Sequence, residues 1–476
     1  MSVRGLTLGV AGSAIVAGLL FACGGGYGGS SSTSGSGYAT PMPTVMFTSP
    51  TQASSINLGQ GVQLVWTSNY ATSCSATTSS TIGGAFSGDQ TISGKATVAP
   101  TGTGTVTYTL SCSGAGGMTS ATTPAVTVNP SILSTLAVDK IATIGSTIDP
   151  IEKGGNPYGL AIAPATAGLI TAGDLVVCNF NDGATNTQGH GTTIIGLHPT
   201  SGATPYRIAQ SAALEGCNAV AMLPDDSISA AAYTANQNPL VTAAGVVNTP
   251  FSADSFGNPW GQVYVAANGD TPASIYLSSA EGAINRITLD GDAQTAFTQI
   301  ASGFCGSGVP GAVFAPAGLT YDRSNDTLYI VDSSSNSVVA FANVSSIAAA
   351  GVVVSGQCNS VAAPPTPTPT FSGPSAASAR VIAHGGAFIS PISAALLADG
   401  DLIVGNGDIN ISAGQTANLV VEVSPVLPGG FVGTPVQLDT GAPGALFGIA
   451  ATVDSQGNQI VYFNDDNSNS VMQLTK

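Results

Sequence analysis

The chain has 476 residues, of which only 9 are Lys or Arg against 25 Asp or Glu, a formal net charge of −16. Nucleic-acid binding needs clustered cations that displace phosphate counterions, so this balance excludes polyanions as partners. Charged residues are 7% and apolar residues 43% of the chain, with 61 glycines, which suits turn-rich exported β structure and argues against disorder.

The first element is an uncharged apolar run from Leu6 to Ala22 behind Arg4, interrupted by Gly9, Gly12 and Gly18. It is marginal in length for a bilayer span and reads as an export signal over residues 1–22. Leu20-Phe21-Ala22-Cys23 resembles a bacterial lipobox, although Phe21 is an unusual residue there; an ordinary secretory signal with a chance cysteine is the plainer reading. The resemblance implies acylation of Cys23 and a protein held to the membrane by lipid alone. Gly24 resembles the outer-membrane sorting pattern of hosts with two membranes, so the expected location is the outer membrane or cell surface. Residues 23–40 are rich in Gly and Ser and read as a flexible tether.

Residues 41–130 alternate in several places. Val62, Leu64 and Trp66 share one face of a strand, as do Val106, Tyr108, Leu110 and Cys112, and Val126 and Val128 follow. These half-buried strands imply a small sandwich, and VQLVWTSNYATSC with TYTLSCSGAGG resembles bacterial immunoglobulin-like domains. Trp66 precedes the first cysteine, whereas antibody-type domains place their core Trp between the two, so the disulfide is expected to join other strands.

With Cys23 assigned to lipid, Cys74, Cys112, Cys178, Cys217, Cys305 and Cys358 remain, an even number suited to an oxidising compartment. Sequence proximity favours Cys74 with Cys112, Cys178 with Cys217, and Cys305 with Cys358, out of about 15 connectivities. None has the C-x-x-C spacing of a zinc or redox site.

From 131 to 476 the chain repeats a degenerate unit: Pro-x-Gly-Leu or a relative, an apolar strand, a Gly/Asp/Asn turn, an apolar strand ending in Asn or Asp, and a short last strand. Copies begin near residues 156, 217, 258, 316, 391 and 446. No unit buries both faces alone, so radial stacking into an all-β, six-bladed β-propeller is expected, with the N-terminal immunoglobulin-like sandwich preceding it. The strand from Leu136 is expected to complete the last blade, and the Pro-rich run 362–379 to be an exposed excursion without strand. Pro316-Ala317-Gly318-Leu319, Leu328-Tyr329-Ile330-Val331-Asp332 and Asn336-Ser337-Val338 resemble NHL-repeat propellers of the secreted bacterial type. Gly448-Ile449, Val461-Tyr462-Phe463-Asn464 and Asn469-Ser470-Val471 repeat the pattern. Such motifs imply a fold and leave the chemistry open.

Candidate chemistry is sparse. Asp332, Asn336, Asp465, Asp466, Asn467 and Asn469 offer oxygens of the kind calcium takes, but they fall where Asx side chains cap turns, and no EF-hand Glu follows. Lactonase propellers of the gluconolactonase type, which resemble this fold, hold a divalent cation in the channel. That likeness makes Glu152 a candidate metal ligand, although its surroundings do not match. His384 precedes a unit and is the histidine expected nearest the channel mouth; His190 and His198 read as loop residues. Tyr158 and Trp260, each inside a Pro-x-Gly, are either an aromatic platform for a ligand or packing between blades.

The expected function is a surface-anchored module that binds a protein or polysaccharide partner and needs no cofactor. The alternative is a metal-assisted lactonase, lyase or related hydrolase using calcium or zinc in the channel. Acidic or histidine side chains converging on the axis favour the second reading, and a sparsely polar channel favours the first.

Overall fold

A computed structural model describes residues 39–136, 138–306, 314–356, 368–409, 411–426 and 431–476. The export signal, Cys23, most of the tether and Cys358 lie outside the described residues. Residues Met42–Lys476 form one compact unit.

The first part of that unit, up to Asn129, is three small sheets around one core. Thr44–Ser49, Val62–Asn69 and Gly94–Val98 form the first sheet, and Ser54–Asn57, Val126–Asn129 and Gly104–Val106 the second. The third orders Gly88–Gln90, Ser73–Thr78, Tyr108–Gly114 and Gly117–Thr122. Period-two alternation does the folding here: Val62, Leu64 and Trp66 are buried while Gln63 and Thr67 face outward. Trp66 packs edge-on to Phe86 at 5.7 Å and satisfies its indole N–H on the Thr91 carbonyl at 2.9 Å. Cys74 and Cys112 are bonded and lie directly opposite each other on adjacent strands of one sheet. The bond therefore staples neighbours within a sheet, not two sheets across a core as in antibody domains.

The second part is a β-propeller. Its sheets begin with the first strands Gly155–Ile162 (sheet I), Cys217–Met222 (II), Pro259–Val265 (III), Pro316–Asp322 (IV), Pro391–Leu396 (V) and Ile449–Val453 (VI). In each, the following strands pair outward, antiparallel throughout except where Val352–Ser355 joins sheet III parallel to Ala293–Ser302. Each first strand packs against the first strand of the next sheet, and that of sheet VI packs against that of sheet I. No sheet closes on itself; closure comes from stacking, and it is sealed by Ala142–Ser146, which pairs antiparallel with Ser470–Leu474 as the outermost strand of sheet VI.

The Pro-x-Gly repeat has a direct physical cause. A Cβ on Gly159 would stand 2.8 Å from the Ala219 Cα, one on Gly261 2.0 Å from the Ala317 carbonyl, and one on Gly448 2.5 Å from the Tyr158 carbonyl. Adjacent first strands approach too closely there for any side chain. The preceding proline costs no ladder bond because the first strand is the inner edge of its sheet. Register shifts between Pro157 and Leu160, Pro259 and Gln262, and Pro316 and Leu319 mark a bulge at this point, which turns the residue between Pro and Gly toward the axis.

Asparagines tie one sheet to the next. Asn236, Asn336 and Asn469 adopt left-handed backbone in the turn after a second strand. Their Oδ1 atoms accept from the N–H of Asn258 at 2.9 Å, Ser390 at 2.7 Å and Asn156 at 2.7 Å, each at the entry of the following sheet. Asn418 serves Gly444 and Ala445 in the same way, at 3.1 and 3.0 Å. Cys178 of sheet I is bonded to Cys217, the first strand residue of sheet II. Cys305 is disulfide-bonded, and its expected partner Cys358 lies outside the described residues.

Two expectations are corrected. The run 362–379 is not free of strand: Thr370–Ser372 pairs with Val353–Ser355 and extends sheet III, because no proline falls between Pro369 and Pro374 and the N–H groups of that stretch can join a ladder. The closing strand starts at Ala142, not Leu136; the chain before it turns through short helices at Ile132–Thr135 and Val138–Lys140.

Candidate functional site

The residue before each ring glycine, or its counterpart, points to the axis: Tyr158, Asn218, Trp260, Ala317, Ile392 and Phe447. Together with the first strands they surround an axial cavity of about 70 Å³, room for about two water molecules. Tyr158 is stacked between Phe180, at 4.2 Å, and Phe447, at 3.8 Å, and Trp260 meets it edge-on at 5.9 Å. Tyr158 and Trp260 are 2% and 5% exposed, so they act as packing at the axis and present no open platform.

Besides Tyr158 and Trp260 the lining holds three polar side chains, Asn218, Gln262 and Ser393, and among the described residues no carboxylate or imidazole. Gln262 donates to the Ala219 and Ser229 carbonyls at 3.0 and 2.6 Å, and Ser393 donates to the Leu446 carbonyl at 3.3 Å. Both serve to stitch the ring. Asn218 differs: it is 7% exposed and neither its Oδ1 nor its Nδ2 has a partner within the protein. A buried amide in a cavity needs a hydrogen-bonding occupant, since leaving it unmet costs about 1–3 kcal/mol. The unmet Asn218 amide thus suits the cavity to a small uncharged polar group. Burial and the nearby Asp466 carboxylate push the Tyr158 phenol well above its ordinary range, so it stays protonated.

One carboxylate stands at the rim. Burial, with Asp465 beside it, pushes Asp466 up to about 6. In the amide orientation that satisfies both groups, Asn156 donates to Asp466 Oδ1 at 2.7 Å, and Asn156 neighbours Asn181. This rim was hidden in the sequence inside the Asp465-Asp466-Asn467 run, where turn capping accounts for every residue type.

No protein-family model matches the chain, and no curated protein matches it. Among solved structures it is similar to virginiamycin B lyase from Staphylococcus aureus, with 14% identity, a TM-score of 0.39, and 71% of this chain and 99% of that one covered. It is similar to a gluconolactonase from Xanthomonas campestris, with 13% identity, a TM-score of 0.43, and 70% and 91% covered. The WD40 repeats of RRP9 give 11% identity, a TM-score of 0.39, and 71% and 98%. These likenesses carry no argument about chemistry, and the propeller rests on the chain's own strand pairing.

The remaining candidates lie off the axis. Glu152 is in the loop before sheet I with its side chain 55% exposed, 3.8 Å from Arg207, which chiefly serves the buried Asp149 at 2.9 Å. His384 ends Ala379–His384, the outermost strand of sheet IV, opposite Ser337; it is a sheet's width from the channel mouth. His190 pairs with Glu215 at 2.7 Å, and His198 with the buried Asp174 at 2.6 Å, which also accepts from the Tyr206 hydroxyl at 2.6 Å. The calcium-like oxygens are turn caps: Asp332 accepts from Ser334 and Ser335, and Asp465 from the Asn467 N–H and the Ser468 hydroxyl.

Proposed function

We propose that the chain is an exported protein, lipid-anchored at Cys23, whose six-bladed NHL-type propeller binds a protein or polysaccharide of the bacterial cell envelope. Sheets I to VI are its blades, and the N-terminal sandwich is an immunoglobulin-like spacer. The observation that carries this reading is the axial cavity: it is small, capped by Tyr158, Trp260 and Phe447, and lined by amides and a hydroxyl without carboxylate or imidazole. Hydrolysis or elimination at the axis needs a positioned acid, base or cation, and beyond the Tyr158 phenol and the nearby Asp466 carboxyl the described residues bring no such group to the cavity. Recognition then falls to the propeller faces and the outer strands. Three disulfide-bonded positions in the propeller, Cys178, Cys217 and Cys305, fit an oxidising compartment.

The test pairs two measurements on the purified full chain. Immobilised protein is exposed to envelope polysaccharides and to detergent-solubilised envelope proteins, and a panel of lactones is incubated with it in the presence of calcium or zinc. Saturable binding with no turnover is expected. Metal-dependent turnover that disappears on Glu152→Gln or His384→Ala overturns the reading in favour of the hydrolase.

A further inference from the structure

The acidic side chains that the axis lacks are gathered elsewhere. The turn between the first two strands of sheet V carries Asp399 and Asp401, and its third strand carries Glu422; one carboxylate oxygen from each lies within 4.8 Å of the other two. Asp401 and Glu422 are fully buried and Asp399 half-buried. Among the described residues no Lys, Arg or His forms an ion pair with any of them.

The three carboxylates sit where the two parts of the molecule meet. Asn57 Nδ2 donates to Asp399 Oδ2 at 2.8 Å, and Gln60 Nε2 donates to Asp401 Oδ1 at 2.9 Å and to the Asp399 carbonyl at 3.1 Å. From the segment joining the parts, Ile132 and Leu133 donate their N–H groups to Glu422 at 3.1 and 2.6 Å. These donors are neutral and supply no counter-charge. Bringing like charges together in a dry site costs several kcal/mol per ion without a counter-charge.

A separate observation points to a ligand. Asp401 Oδ2 is buried with no hydrogen-bond partner, and Ser424, 0% exposed, has a hydroxyl that bears on the Asp401 carboxyl yet has no partner of good geometry. Both face Gly59, whose backbone is left-handed: a Cβ there would lie 3.2 Å from Asp401 Oδ2 and 3.1 Å from the Ser424 Cβ. The Phe431 ring closes in from the other side, 2.9 Å from the same position, so only glycine fits where the sandwich meets these two side chains. Asp399 also lines a groove of about 590 Å³ with Asn57, Asn129 and Gln459, which gives a small ion a way in.

We propose that Asp399, Asp401 and Glu422, with the Ser424 hydroxyl, bind one calcium ion that locks the N-terminal sandwich onto sheet V. The donors are all oxygen, without imidazole or thiolate, which fits a hard cation and disfavours zinc. Calcium suits the irregular spacing better than magnesium, which demands near-ideal octahedral geometry. The role is structural, and it is independent of whether the propeller binds or catalyses.

Calcium chloride is titrated into the chelator-treated full chain, with heat of binding and thermal unfolding as readouts. One ion per chain with a Kd of about 0.1–1 mM is expected, with Tm raised by about 2 °C or more at about 10 mM calcium. Asp401→Asn is expected to leave the apo protein folded, since it removes one of the repelling charges, and to abolish both responses. Asp454→Asn, in the turn after the first strand of sheet VI, is expected to retain them. No heat and no Tm shift in the parent chain, or an unchanged calcium response in Asp401→Asn, overturns the proposal.

Discussion

The axis of the propeller and its junction with the sandwich treat buried polarity in opposite ways. At the axis the buried side chains are aromatic rings and neutral amides, and hydrogen bonds to neighbouring carbonyls consume Gln262 and Ser393. At the junction three carboxylates are crowded behind neutral donors. In a chain only 7% charged, this distribution separates architecture from chemistry. The repeat motifs converge on the axis because close strand packing needs them there, whereas the electrostatically costly residues occupy the first turn and the third strand of sheet V, against the sandwich.

The comparison can be broken most forcefully at Tyr158. Tyr158→Ala empties the space between Phe180 and Phe447 and is expected to lower stability by about 4 kcal/mol in urea unfolding, because the rigid ring cannot collapse around it. Near-native stability together with lost partner binding would instead make Tyr158 a ligand platform. A smaller effect is expected at the junction. Gln60→Ala removes the bonds to Asp401 and the Asp399 carbonyl, and should cost about 1 kcal/mol while increasing protease cleavage between the two parts.

A third effect is a slope with pH. Asp466, raised to about 6 in the folded chain against about 3.9 unfolded, takes up its proton earlier in the folded state. Its contribution to stability therefore rises as pH falls from about 6 to about 4 and is lost again as pH climbs through 6. Asp466→Asn is expected to flatten that part of a pH series of thermal melts. The opposite sign belongs to Asp149. Burial alone would raise its carboxyl, but the Arg207 guanidinium and the Glu152 and Ile151 N–H groups hold it below the usual range, so its contribution is lost only in acid.

Much of the fold was legible because its signals are local. Alternation at Val62, Leu64 and Trp66 and the recurring Pro-x-Gly each reflect one strand and its immediate partner. Tyr158 and Trp260 were visible as aromatics inside that motif, but whether they face a ligand or each other depends on rings contributed by Phe180 and Phe447, far apart in the chain. His384 looked close to a unit start along the sequence. It lies at the sheet's outer edge because the insertion before it sends the chain over sheet III before it returns as the fourth strand. Asn218 carried a weak signal, its place before Ala219 matching Tyr158 before Gly159.

The sequence by itself determined an all-β chain of short, turn-punctuated strands and the pairing of Cys74 with Cys112 and Cys178 with Cys217, since these follow from neighbour spacing and composition. Only the tertiary structure decided that the described lining of the channel is neutral, that Asp399 and Asp401 meet Asn57 and Gln60 across more than three hundred residues, and that Glu422 stands beside them. Contacts between distant segments are set by how whole sheets stack, and stacking depends on every sheet at once, so no local pattern records it.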